Sequence, residues 1–464
     1  MSVLDNKSSI YFIGIGGIGM SALARYCINV GITVFGYDKT NSEMITSLSN
    51  EGAQIILNDD VNLIPKVFNK VSDEALIVYT PAIPADLKIK NHFVNIGFSL
   101  IKRAALLGMI SENKFVIAVA GTHGKTTTST LLAHLFYQSG YNMVAILGGI
   151  GTNYNSNYLY QNEGKKIQNL QILITEADEF DRSFLQLYPD IAIITSTDAD
   201  HLDIYIDNES ILSSFQTFAS QIKNRGTLIV NEKAEIKKSQ TQKLITYGSL
   251  SNSESYYKNL HQKNSKQIFD WVYNEKEILA IEAGMSGKHN VENATAAATA
   301  AIIAGMEIDE IKNNIASFKG VKRRFEIVYD QFMQTVIDDY AHHPTELEAL
   351  IDAVKTLYPE REITLLFQPH LYSRTRDFEL GFAASLSKAD HVWLLPIYPA
   401  RELPIANVSS NMLIEKITAK TTMLVEKSEV LELISKDRPG LLVIAGAGDI
   451  DRLVNPIKTL YNNE

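Results

Sequence analysis

The residue types best suited to chemistry are gathered in Phe115 to Thr128, FVIAVAGTHGKTTT. Phe115 to Ala120 is a short apolar run without helical spacing, which predicts a buried strand, and Thr126 to Phe136 predicts the helix after it. Between them Gly121, Thr122, His123 and Gly124 form a loop whose backbone N–H groups, with the helix N-terminus, favour an anion. Lys125 adds a mobile charge, the Thr126 hydroxyl is placed to hold a magnesium ion, and Thr127 continues the first turn. The strict pattern G-x-x-x-x-G-K-[ST] is not met, because Val stands at 119 and the loop is a shorter G-x-x-G-K-T. A nucleoside triphosphate is the expected ligand, and the bland alternative is a tight strand-to-helix turn with an exposed lysine.

Other polar groups fall at the predicted carboxyl ends of strands, the edge where doubly wound sheets bind ligands. The run Ile172 to Thr175 leads into EADEFDRSFL, putting Glu176 where a magnesium-nucleotide site needs oxygen. The run Ile191 to Thr195 leads to Asp200 and His201, so His201 is expected at a second metal or near phosphate, although an Asp-His pair by itself is often a surface turn. His289, Asn290 and Asn293 open an alanine-rich helix and suit either an adenine ring or simple capping. Lys322, Arg323 and Arg324 suit a phosphate clamp or a solvated hinge. Four later strands end in Asp338, Asp339, Tyr340, His342 and His343, in His370, Arg374 and Arg376, in PIYPARE, Pro396 to Glu402, and in GAGDI, Gly446 to Ile450.

Near the N-terminus, Gly14, Gly16 and Gly19 have G-x-G-x-x-G spacing between a strand and a helix, and Asp38 follows the next strand. The pattern reports a diphosphate on a helix N-terminus without saying what carries it, so a nicotinamide dinucleotide is the first thought. The loop Thr80 to Pro84 ends a third strand on the same ligand side.

These groups need a scaffold of alternating strands and helices, an α/β fold. With 464 residues, about three domains are expected at roughly 150 residues each. The polar stretch Ser111 to Lys114 and the junction FKGVKRRFE divide the chain into residues 1–111, 112–321 and 322–464. The tyrosine-rich stretch between Asn153 and Gln168 reads as a surface loop, Ile101 to Ile110 as a helix, and Asn252 to Glu275 as loops and edge strands. A hydrophobic content of 45% against 21% charged residues fits a globular chain rather than disorder. A net charge of −10 argues against a nucleic-acid partner, the single Cys27 excludes an intrachain disulfide, and no apolar run is long enough for a membrane span. A cytoplasmic enzyme of small anionic substrates, monomeric or homodimeric, is expected.

GIGGIGMSALA, TPAIP, GTHGKTTT, EADEFDRSFL, DADHLD, GKHNVENATAA, KGVKRRFE, DDYAHHPTE, FQPHLYSRT and GAGDI resemble, in order, the signature segments of the Mur ligase family. The phosphate loop is shared across that family and with folylpolyglutamate synthetases. GIGGIGMSALA and DDYAHHPTE are narrower, resembling the branch that joins L-alanine to UDP-N-acetylmuramate and the recycling branch that adds a tripeptide to the same sugar nucleotide. The resemblance implies a Rossmann-like N-terminal domain, a central P-loop ATPase domain and a Rossmann-like C-terminal domain. It implies ATP, two magnesium sites for which manganese can substitute, and amide formation through an acyl phosphate. It puts Lys125 on the phosphates, Thr126 and Glu176 on one magnesium and His201 on a second. His289 and Asn293 would meet adenine, with Arg324 on the phosphates and Asp338 on the nucleotide. Gly14, Gly16, Gly17, Ile18, Gly19, Asp38, Thr80 and Arg103 would hold the UDP-sugar, in place of a dinucleotide. His343, Arg374 and Arg376 would lie near the alanine and the acyl phosphate, with His343 suited to deprotonate or orient the amine. Ser196-Thr197, Phe180 and Arg182 depart from the family's usual residues.

Overall fold

In the computed structural model, which describes residues 3–198, 208–237, 242–263, 266–400 and 402–462, the strands form three sheets. Runs of Ile, Val, Leu and Ala buried on both faces make the central strands, as parallel sheets covered on both sides require. The first sheet is wholly parallel and runs Gln54–Ile56, Thr33–Tyr37, Ser9–Ile13, Ala75–Tyr79, Leu100–Lys102. The second has ten strands, with Phe115–Ala120 between Ile191–Ile194 and Ile172–Glu176, parallel to both. The third has six, in which Glu326–Gln331 is antiparallel to Gln334–Asp339 and the rest are parallel.

The chain divides into two compact units: Met1–Asn259 with Phe269–Ile281 and Glu292–Phe318, and Leu260–Ile268 with Glu282–Val291 and Lys319–Glu464. The core of the first unit is continuous from the helix Ile18–Asn29, which buries Leu23, Ala24 and Cys27, into the second sheet through Val116, Ala118, Val144 and Leu173. The core of the second unit surrounds Ile337, Leu365, Phe367 and Val443 on one face of its sheet and Val336, Leu366 and Ile444 on the other.

Several local expectations need correction. The expected tyrosine-rich surface loop contains a strand, Ser156–Gln161, antiparallel to Met143–Gly151, and Asn157, Tyr158 and Leu159 are buried. Its polar composition hid a pattern whose apolar ring faces pack on the helix Ile18–Asn29. Ile101 belongs to the short strand Leu100–Lys102, and the helix starts at Arg103. A three-residue strand is fixed by its pairing with Ala75–Tyr79, which no local propensity announces. The stretch from Asn252, in agreement with its reading as loops and edge strands, carries two long strands, Ser255–Lys263 and Lys266–Tyr273, toward one end of the ten-stranded sheet. Among the described residues, no helix is long and apolar enough to cross a membrane.

Candidate active site

Strand register brings the acids to the loop. Val119 pairs with Glu176 and Ala120 with Ile194, so Gly121, Glu176 and Thr195 leave the sheet at one edge. The helix Lys125–Gln138 begins after Gly124, whose φ of 80° is left-handed, and a Cβ there would lie 2.6 Å from Asn293 Oδ1. Only glycine permits that conformation and that approach. Thr126 Oγ1 donates to Glu176 Oε2 at 2.7 Å, while Lys125 Nζ donates to Gly121 O at 2.6 Å, Thr122 O at 3.2 Å and Glu179 Oε1 at 2.8 Å. Burial opposes the lysine's charged form, but Glu179, Glu176 and Asp178 outweigh it and its pKa is raised. Glu179 is the site residue that sequence reasoning missed. Its signal was present as the third acid of the EADEFD run, but which cation it would meet was not legible.

The segment after Ile194 closes the other side of the loop. His123 N–H donates to Ser196 Oγ at 2.9 Å, Thr122 Oγ1 to Asp198 O at 2.7 Å, and His123 Nε2 lies 3.8 Å from Asp198 Oδ2. The departure at Ser196 thus keeps an anchoring contact with the loop. Asp200 and His201 lie outside the described residues. Arg182 is exposed with φ 53°, and its N–H donates to Glu179 O at 2.9 Å. Asn293 also accepts from Thr128 Oγ1 at 3.2 Å, which puts it against the first turn of the loop's helix. Among the described residues no cluster of three or more His, Cys, Asp or Glu is arranged to hold a metal ion, and the facing oxygens of Thr126 and Glu176 are the hard-donor pair at this edge.

The glycine turn is built by close approach. Gly14 has φ 84° with Thr80 Cγ2 2.7 Å from where its Cβ would stand, and Gly16 N–H donates to Asp38 Oδ2 at 2.9 Å. Asp38 therefore fixes the turn's backbone, with its other oxygen accepting from Thr40 N–H at 3.0 Å. Gly17 caps the helix Ile18–Asn29 without a side-chain bond, and the guanidinium of Arg103 lies over Gly19. Arg103 is ion-paired to Asp178. A cleft partly open to solvent is lined by Ile18, Gly19, Arg103, Gly148, Glu176 and Asp178, so the glycine turn and the acidic segment face one space.

In the second unit, Arg323 and Arg324 both lie over the Tyr340 ring, 5.1 Å from its centroid. Asp338 is buried, with its Oδ2 3.6 Å from Arg323 Nε, and burial raises its pKa to about 7 despite that arginine. Asp339, raised by burial to about 6, accepts from Phe325 N–H at 2.6 Å. His289 is pushed down to about 4 by burial and by the charge of Arg324, so it is a neutral ring at pH 7. His343 has a task its sequence did not announce. Its Nδ1 accepts from Thr345 N–H at 3.4 Å as the cap of the helix Pro344–Leu357, and its buried ring packs 4.6 Å from that of Phe378. Arg376 is exposed and bonded to Asp377, whereas Arg374 on the same short helix is half-buried.

Comparison with known proteins matches three family models in chain order: Mur ligase family, catalytic domain, at residues 9–115; Mur ligase middle domain at 119–301; and Mur ligase, glutamate ligase domain, at 323–448. The chain belongs to the Mur ligase family. It has the three-domain Mur ligase architecture, the models following the order of the three sheets. It is 46% identical to the UDP-N-acetylmuramate--L-alanine ligase of Porphyromonas gingivalis, over 97% of this chain and 98% of that one. It is 44% identical to the enzyme of the same name from Flavobacterium psychrophilum, over 98% of each. The crystal structure of a UDP-N-acetylmuramate-alanine ligase from Thermotoga maritima superposes with a TM-score of 0.81 at 25% identity, covering 98% of this chain and 99% of that one. A murein peptide ligase from Psychrobacter arcticus shares the Mur ligase fold, with a TM-score of 0.73 at 22% identity over 98% and 99%.

Proposed function

We propose that this Mur ligase joins L-alanine to the lactyl carboxylate of UDP-N-acetylmuramate at the expense of ATP, a step of peptidoglycan precursor synthesis. The observation that carries the reading is the convergence, in one compact unit, of a phosphate loop whose Thr126 meets Glu176 with a glycine turn overlain by Arg103. The relatives at 44–46% identity over nearly the whole chain support the choice of substrates. The domains are taken as 1–111, 112–321 and 322–464.

A lactyl carboxylate oxygen attacks the γ-phosphorus and ADP leaves; the alanine nitrogen, having lost a proton, then attacks the acyl carbon, phosphate leaves and the amide remains. Every reacting group carries or gains negative charge, so fixed cations and N–H groups are what the fold must supply. Lys125 and the loop N–H groups meet the phosphates, and Arg324 adds charge from the C-terminal domain. Neutral His289 and Asn293 suit the uncharged adenine ring, with Asp338 on the nucleotide. Gly14, Gly16, Gly17, Ile18, Gly19, Thr80 and Arg103 receive the sugar nucleotide, while Asp38 holds their turn in shape. His343, Arg374 and Arg376 are placed near the alanine and the acyl phosphate, with His343 to deprotonate or orient the amine.

The residues present fit magnesium. Thr126 and Glu176 offer two hard oxygens 2.7 Å apart, and the Glu176 carboxylate occupies the space a Cβ on Gly148 would need. Few protein ligands, with the rest from substrate and water, are what magnesium takes in such sites. When bound, the ion would neutralise charge on the transferring phosphoryl oxygens.

Phosphate release from ATP should depend on both UDP-N-acetylmuramate and L-alanine. Release only with L-alanyl-γ-D-glutamyl-meso-diaminopimelate as the amine would keep the chemistry and change the substrate, and release with neither would overturn the reading.

A further inference from the structure

The turn after the strand Ile172–Glu176 sends three of the carboxylates of the EADEFD run to three different partners. Glu176 accepts from Thr126, Glu179 from Lys125, and Asp178 pairs with Arg103. Backbone bonds hold this spread in place: Ala177 N–H donates to Val119 O at 2.8 Å and Phe184 N–H to Asp178 O at 3.0 Å. Two of these partners belong to the phosphate loop's helix. The third, Arg103, begins the helix Arg103–Ser111, and its guanidinium lies against Gly19 in the first turn of the glycine-loop helix. Asp178 meets Arg103 at the sugar-nucleotide turn, and its charge is at the same time near enough to Lys125 to favour that lysine's charged form.

We infer that Asp178 is a positioning residue that occupies Arg103 as an internal anion until the diphosphate of the sugar nucleotide takes its place, and that this exchange couples the two substrate sites. The inference rests on the proposed function. Arg103 lies at an N-terminal turn that already favours an anion, because Gly17 offers no side-chain cap and no acid stands in the first turn of Ile18–Asn29. A diphosphate arriving there and the Asp178 carboxylate compete for one guanidinium. The side chains of the pair are 24% and 31% exposed, and an ion pair this open to water is weak enough to be traded for a doubly charged ligand. Once released, the Asp178 carboxylate adds its charge to Glu176 and Glu179 beside Lys125, whose charged form it already favours. That strengthens the cation-binding edge on which a metal-bound triphosphate sits. Linkage makes the effect reciprocal, so a bound magnesium nucleotide must favour the sugar nucleotide by the same factor.

The test is titration calorimetry of UDP-N-acetylmuramate, with and without magnesium and a non-hydrolysable ATP analogue, on wild type, Asp178→Asn and Asp178→Glu. Wild type should bind the sugar nucleotide about fivefold more tightly when the magnesium nucleotide is present. Asp178→Asn should bind the sugar nucleotide alone more tightly than wild type, since Arg103 is no longer occupied, and its ratio should fall to about one. Asp178→Glu should restore part of the ratio. In turnover assays Asp178→Asn should lower KM for the sugar nucleotide at subsaturating ATP, while a merely structural role would weaken binding throughout. An Asp178→Asn protein that keeps the wild-type ratio, or binds the sugar nucleotide alone more weakly than wild type, overturns the inference. A wild type that neither binds the sugar nucleotide nor releases phosphate with it refutes the function itself, and the inference falls with it.

Discussion

Replacing Lys125 by methionine removes a cation whose side chain is 12% exposed and which faces a Glu179 side chain 4% exposed. Taking one partner from a buried pair strands the other, at a cost of about 3–5 kcal/mol. Glu179→Gln should cost less, about 1–2 kcal/mol, because Lys125 keeps the carbonyls of Gly121 and Thr122 and the nearby charges of Glu176 and Asp178. The double variant leaves no stranded charge and should regain at least about 2 kcal/mol relative to Lys125→Met. Activity should follow a different rule. Lys125 is a fixed charge at the transferring phosphates, so Lys125→Met and the double variant should both lose about 100- to 1000-fold in turnover, while Glu179→Gln loses no more than about tenfold. Urea unfolding followed at the first transition, beside phosphate release, checks both halves. A double variant as unstable as Lys125→Met would refute Glu179 as the lysine's buried counter-charge, and full turnover by Lys125→Met would refute the phosphate loop.

The pH dependence of stability should carry the mark of Asp338 and Asp339. Their folded pKa values, about 7 and about 6, stand above the usual 3.8, so between those values the folded state holds protons that the unfolded chain gives up, and stability falls as pH rises from about 4 to 7. Asp338→Asn should therefore stabilise the ligand-free protein by roughly 3 kcal/mol at pH 8 and hardly at pH 4, and equal thermal shifts at both would contradict the assignment. Gly148→Ala places a Cβ against the Glu176 carboxylate, which can move only by leaving Thr126. Turnover should drop more than about tenfold, with more magnesium needed for half-maximal rate, and an unchanged magnesium dependence would count against Glu176 as a ligand. Asn157 is fully buried, donates to Ile18 O at 2.6 Å and Ser21 Oγ at 2.9 Å, and accepts from Arg25. Asn157→Ala should cost about 3 kcal/mol, two neutral bonds and one to a charged group, and raise KM for the sugar nucleotide severalfold with KM for ATP unchanged. Parallel rises in both constants would show that Ile18 is not what Asn157 holds.

The sequence by itself determined the parts whose physics is local. Gly121 to Thr128 is legible because a buried strand, a left-handed glycine and a helix N-terminus follow one another within a few residues. Gly14 to Gly19 with Asp38 is legible for the same reason, and the apolar runs of the central strands announced the α/β order. Tertiary structure alone decided which partner each polar group meets, because those partners are distant in the chain. Thr126 and Glu176 are 50 residues apart, Lys125 and Glu179 54, Arg103 and Asp178 75, and Ile18 and Asn157 139. One acidic run offers four carboxylates that look alike in sequence, and only the strand's exit direction and the turn after it send Glu176, Asp178 and Glu179 each to its own cation or hydroxyl. The same holds where expectation failed. Leu100–Lys102 became a strand because Ala75–Tyr79 lay open beside it, and Ser156–Gln161 became one by pairing with Met143–Gly151. Each outcome follows from packing between segments, an energy that no single stretch of sequence contains.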